Sequence, residues 1–233
     1  MSESPYGLLE PFEEGIWTCR QPFRFFGLQI GARMTVIDLT GQGDLFVHSP
    51  IKLGEKLKQD LEALGSVRHV AAPNCWHHLF VGDYKAQYPD ARFYCSPGLD
   101  IKRPDIEFDE VLEEGKAYPW SSELAHHVVG GCPTLNEVVF FHATTRTLVV
   151  TDIGLHICEE SPITTRMLFR VMGNYGRFGW APIEKKALIK DRVLFQQSIS
   201  KILEWDFERI VLSHGRLVRE DGRSAFQKAF GKH

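Results

Sequence analysis

The chain has no Cys-x-x-Cys pair, and its five cysteines (Cys19, Cys75, Cys95, Cys132 and Cys158) are an odd, scattered set. That excludes a disulfide framework and a zinc ribbon, and the thiols read as small core residues. There is no basic excess: 27 Lys and Arg face 30 Asp and Glu, for a formal net charge of -3. A nucleic-acid groove needs concentrated positive charge, so nucleic acid is not an expected partner. No apolar run approaches the roughly 18 residues of a membrane helix. The opening MSESPYGLLEPFEEG is acidic and lacks the apolar stretch of a signal peptide. These readings lead to the expectation of a cytoplasmic protein without a membrane partner. Gly41-Gln42-Gly43 lacks the residues that complete a phosphate loop, and no Gly-x-Ser-x-Gly elbow occurs. Cys95 has no evident paired base, which argues against a cysteine hydrolase.

What is present is ordinary globular material. With 233 residues, 43% of them hydrophobic, the chain can bury a sizeable core as one domain over residues 1–233. Gly15–Arg20, Gly27–Leu39 and Asp44–His48 read as strands, rich in β-branched and aromatic residues. Leu53, Leu57, Leu61 and Leu64 then recur at helical spacing until Gly65. Val67–Ala72 reads as a strand. Asn74 is placed to cap a helix starting near Cys75 and ending before Pro89, and Ala91–Cys95 reads as another strand. A second strand block follows: Leu124–Val129, then Glu137–His142 and Thr147–Thr151 as a hairpin. Gly154–Gly179 reads as a broken helix and loop, Ile183–Trp205 as one helix, Arg209–Leu212 as a strand and Ser224–Phe230 as a last helix. This order suits two sheets packed face to face with helices outside.

Ten histidines stand out by placement. His77 and His78 follow strand 67–72, Asp152 follows strand 147–151, and His214 follows strand 209–212. In layered α/β folds, sites form where strand ends open into loops. Four such N and O donors suit one divalent cation, Zn²⁺ first and Fe or Mn²⁺ as alternatives. The start of a helix disfavours imidazolium, and neutral imidazole is the ligating form. Each residue also has a plainer reading: hydrogen-bonded buried histidines, and a capping aspartate. His142, at a hairpin turn, is expected to be exposed, and His156 is a candidate for the pocket wall.

Pro73-Asn74-Cys75-Trp76-His77-His78 resembles the place where the metallo-β-lactamase superfamily carries His-x-His-x-Asp-His. The Asp position becomes His77, the last His is kept as His78, and the first two become Pro73 and Cys75. Asp152 resembles the bridging aspartate, and Ser213-His214-Gly215 resembles the final Gly-His-Gly. The superfamily's third His is missing from Gly130–Glu137, where Cys132 or Glu137 is a stand-in. The segments Ala72–Gly98 and Asn136–Asp152 resemble the DUF4336 family specifically. The resemblance implies a four-layer αββα sandwich and a reduced, mononuclear site of His77, His78, Asp152 and His214. It further implies hydrolysis of a small ester, lactone, thioester or phosphoester, with His77 and Asp152 as the catalytic pair. The lost histidines leave open a second expectation: a non-catalytic member that binds a small molecule or protein partner. Iron redox chemistry comes last, because nothing marks a flavin domain. The oligomeric state is not readable.

Overall fold

The structure is a computed structural model, described here for residues 7–231. Residues 1–6 of the acidic N-terminal stretch lie outside the described residues. The elements in order are β1 (Leu9–Glu13), β2 (Ile16–Gln21), β3 (Arg24–Phe25), β4 (Leu28–Gln29), β5 (Ala32–Asp38), β6 (Asp44–His48), α1 (Glu55–Leu64), β7 (Ser66–Ala72), α2 (Val81–Gln87), β8 (Arg92–Cys95), α3 (Leu99–Lys102) and β9 (Glu110–Val111). The second half holds β10 (Leu124–Val128), β11 (Val138–His142), β12 (Thr147–Val149), α4 (Ile163–Val171), α5 (Pro182–Leu188), α6 (Arg192–Ile202), β13 (Arg209–Val211) and α7 (Gly222–Phe230).

Two main sheets result. One has seven strands in the order β1-β2-β5-β6-β7-β8-β9, and the other has four in the order β10-β11-β12-β13. From β6 onward the first sheet is parallel, and helices α1 and α2 make its crossovers. In the second sheet β12 and β13 are parallel, with Val149 opposite Val211. Strand alternation divides the core into three layers of contact. Leu45 and Val47 of β6 pack outward with Leu57, Leu61 and Tyr84 under the helices. Phe46 faces the other way, onto Phe140 and Val149 of the second sheet. Val139, Leu148 and Ile210 point away from that interface, onto Phe195, Ile199 and Phe226 of α6 and α7. The result is the expected αββα sandwich, whose central layer is buried on both faces.

Three local expectations need correction. The helix expected from Cys75 begins only at Val81, and residues 74–80 form tight turns. Asn74 still caps: its Oδ1 accepts from the backbone N–H of Trp76 and His77, both at 2.8 Å. The single helix expected over Ile183–Trp205 is two, because Asp191 accepts from Val193 and Leu194 N–H and starts α6 afresh. His142 is buried, not exposed, with Nδ1 at 2.8 Å from Thr145 Oγ1. Among the described residues no helix is long and apolar enough to cross a membrane.

Candidate metal centre

The site lies at one mouth of the sandwich, where β6, β7, β12 and β13 end. His77 comes from the turn after β7, Asp152 from the loop after β12, and His214 from the loop after β13. One ligating atom from each lies within 4.8 Å of the others. Asp152 Oδ2 is 3.1 Å from His77 Nε2, and Asp152 Oδ1 is 3.1 Å from His214 Nε2. The two Nε2 atoms are also 3.1 Å apart.

Outer hydrogen bonds decide what these atoms present. His214 Nδ1–H donates to Gly31 O at 2.5 Å, since a carbonyl only accepts. In the neutral ring, Nε2 is then a bare lone pair aimed at a carboxylate oxygen and a second imidazole. His77 Nδ1 is held by Ser49 Oγ at 2.7 Å, so its Nε2 also turns inward. With Ser49 Oγ accepting from His77 Nδ1–H, three electron-rich atoms meet at this spacing and repel unless a proton or a metal ion lies among them. Donors about 2.0–2.2 Å from a tetrahedral Zn²⁺ lie roughly 3.3–3.6 Å from each other, a few tenths of an ångström wider than the spacing here. The observed spacing is close to this, and the chemistry of two imidazoles and a carboxylate with fixed outer partners fits.

Asp152 is gripped from behind by a buried polar network. Asn74 Nδ2 donates to Asp152 Oδ2 at 2.8 Å and to Thr151 Oγ1 at 2.8 Å. Glu137, fully buried, accepts from the N–H of Thr151 (2.6 Å), Asp152 (2.8 Å) and Ile153 (2.9 Å). Burial opposes the charge on Asp152, but positive charge on the neighbouring imidazoles when they are protonated, His77 first and then His214, overrides it and holds this carboxyl well below its usual range. Burial, then the nearby Asp152, push Glu137 up to about 7, against the pull of its Thr151 and Asn74 donors. Arg33 braces the other ligand loop: Nη1 donates to Leu212 O at 2.5 Å and Nη2 to Gly215 O at 2.9 Å.

Of the four expected ligands, the structure brings three together. His78 is the exception. Its Nδ1 accepts from Arg103 Nη1 at 2.7 Å, and it stands outside the donor cluster. Neighbouring residues on a tight turn point apart, so with His77 turned to the centre, His78 faces elsewhere. Burial, then the Lys102 and Arg103 charges, push its imidazole down to about 4. The stand-in positions do not join either: Cys132 is packed in the outer core and Glu137 holds the loop under Asp152. Cys75 Sγ points to Pro97 O. His156 Nδ1 is occupied by Arg216 O. Ser49, Gly31, Arg33 and Trp180, whose Nε1–H donates to Asp152 O at 2.5 Å, were not found from sequence. Only a backbone fold brings them near, and no spacing signals it.

A cleft of about 430 Å³ opens over the three donors. Its walls are mostly apolar, including Phe25, Trp76, Leu168 and Met172, and its polar lining includes Lys102 and Glu184. Segment 167–180 thus contributes both to the outer core and to the cleft wall.

The family model for a domain of unknown function, DUF4336, matches residues 13–170. No curated protein matches the sequence. Among solved structures, the chain is similar to a metallo-beta-lactamase from Erythrobacter litoralis, with TM-score 0.67, 12% identity, and 94% of this chain and 92% of that one covered. It is also similar to a metallo-beta-lactamase from Pontibacter korlensis, with TM-score 0.63, 13% identity, and 97% and 99% covered. A third is the metallo-beta-lactamase FIM-1 from Pseudomonas aeruginosa in the mono-zinc form, with TM-score 0.63, 11% identity, and 94% and 91% covered. At such identities the likeness establishes the fold. The chain therefore belongs to the DUF4336 family, built on the metallo-β-lactamase fold.

Proposed function

We propose that the chain is a metal-dependent hydrolase of small esters, lactones, thioesters or phosphoesters, with one divalent cation held by His77, Asp152 and His214. Zn²⁺ is the first choice of ion. The observation that carries this reading is the lone pair of His214 Nε2, committed by the Nδ1–H···O=C bond to Gly31 and aimed at Asp152 and His77. The mono-zinc form of a fold relative supports the single-ion count. A divalent ion bound there supplies a Lewis acid and lowers the pKa of water.

The chain's own residues do the rest. Glu137 holds the Asp152 backbone and Asn74 its carboxylate, and Ser49 and Gly31 fix the two imidazoles. The apolar cleft walls lower the local dielectric beside the three donors, which strengthens the charges there. Glu184 lines the cleft with one oxygen occupied by Ala181 N–H, and burial raises its carboxyl, which suits proton transfer.

A second reading is favoured by Pro73 and Cys75, which stand where the superfamily has ligating histidines: a non-catalytic protein whose three-residue cluster holds a proton. Elemental analysis after supply of zinc or iron, beside a hydrolase panel, separates the two. The hydrolase reading expects a single ion per chain, lost with activity in His214→Ala. Wild-type protein that takes up no metal and turns over no ester leaves only the second reading.

A further inference from the structure

The cleft holds a donor set that the metal reading does not use. A guanidinium only donates, so the 2.7 Å contact from Arg103 makes His78 Nδ1 an acceptor and places the ring proton on Nε2. His78 lines the cleft, and its Nε2–H is left for an oxygen there. Lys102 is also a lining residue of the cleft. It donates to Cys75 O at 2.7 Å and keeps two further N–H donors. The turn after β7 and the end of α3 therefore present oxygen-binding donors, His78 and Lys102, beside the ligating imidazole of His77.

The remaining walls of the cleft are aliphatic and aromatic. Phe25, on the β3–β4 hairpin, stacks on Trp76 with ring centroids 6.0 Å apart. Thr165 Oγ1 donates to Gln29 O at 2.8 Å and ties α4 to the same hairpin. Large apolar side chains also stand exposed along the cleft itself: Leu79 at 56%, Phe25 at 42% and Leu168 at 37%. Solvent-facing residues of that kind on both walls suit an apolar ligand. At the ~30 Å³ that a water-sized group occupies in a liquid, 430 Å³ holds about fourteen such groups.

We infer that the cleft takes a medium-length aliphatic acyl chain, its oxygen-bearing head on His78 and Lys102 and its tail along the Phe25, Trp76 and Leu168 walls. This rests on the hydrolase reading and narrows its substrates to carboxylic esters or thioesters. Water adds to the acyl carbon, the acyl–oxygen or acyl–sulfur bond breaks, the alcohol or thiol leaves with a proton, and the acid remains. That acid is a probe needing neither turnover nor metal.

Calorimetric titration of chelator-treated protein with dodecanoate, octanoate and dodecanol tests the inference. Dodecanoate is expected to saturate one site, and affinity to fall about fourfold for each methylene removed. Lys102→Ala and His78→Ala are expected to weaken dodecanoate about tenfold and dodecanol much less, because the alcohol offers an uncharged acceptor, while Leu168→Asp weakens both; circular dichroism checks that each variant folds. No dodecanoate binding, no dependence on chain length, or head-group variants that bind dodecanoate as wild type does would overturn the inference. Because the protein is stripped of metal, its failure is separate from that of the metal reading, which elemental analysis decides.

Discussion

Replacing Glu137 by Gln tests the distinction between a metal ligand and a residue that holds a ligand loop. Glu137 Oε1 accepts from Thr151 N–H, and Oε2 accepts from Asp152 N–H, Ile153 N–H and Asn74 Nδ2. A glutamine must turn its NH₂ toward one of these sets. The cheaper choice faces it to Thr151, which loses one charge-assisted bond and opposes two donors. Each such bond contributes about 1.5–3 kcal/mol, so a loss of about 2–3 kcal/mol is expected after some relief from burying a neutral group. Glu137→Ala orphans all three N–H groups at about 1–3 kcal/mol each, a large part of a typical 5–15 kcal/mol stability. The assay is urea unfolding of chelator-treated protein, read as a shift of midpoint at constant slope. If Glu137→Gln unfolds like wild type without metal and loses only metal affinity, Glu137 is a ligand and the account of the loop fails.

Three further outcomes follow from the same geometry. Arg33→Met removes two charged donors from Leu212 O and Gly215 O, and should cost about 3 kcal/mol in urea unfolding and weaken metal uptake through the His214 loop. Gly215→Ala should destabilise by about 3 kcal/mol, because its φ is +100° and a Cβ would sit 2.1 Å from His156 O; a thermal melt like that of wild type would refute this. Glu114 is raised by burial but pulled down to about 2 overall by Lys201, Val128 N–H and His127. Its folded value lies below its ordinary one near 4.5, so its contribution is full above that value and disappears as pH falls toward 2. Glu114→Gln should flatten the acid limb of stability between these values, by a modest amount because the side chain is 39% exposed.

Much of the fold was legible because strand alternation and helix period are local signals. Leu45, Phe46 and Val47 alternate between two cores as their sequence implies, and Leu57 and Leu61 face one sheet from a helix stopped by Gly65. The break between α5 and α6 was missed because the apolar period runs through it, while the Asp191 cap acts on only two N–H groups. At the site, the strand-end rule located His77, Asp152 and His214. It could not say which of two adjacent histidines turns inward. That depends on Ser49 reaching His77 and Arg103 reaching His78, from elements 28 and 25 residues away in sequence. The buried role of Glu137 was equally hidden, since a glutamate opening a strand reads as an edge charge until the loop it holds is seen.

The central claim is a cation shared by three side chains. Anomalous diffraction at the zinc edge, from crystals grown with zinc, tests it most directly. The account predicts a single peak at bonding distance, about 2.0–2.2 Å, from His77 Nε2, an Asp152 oxygen and His214 Nε2, with His78 still on Arg103. A peak coordinated by His78, or no density among the three donors, would contradict it.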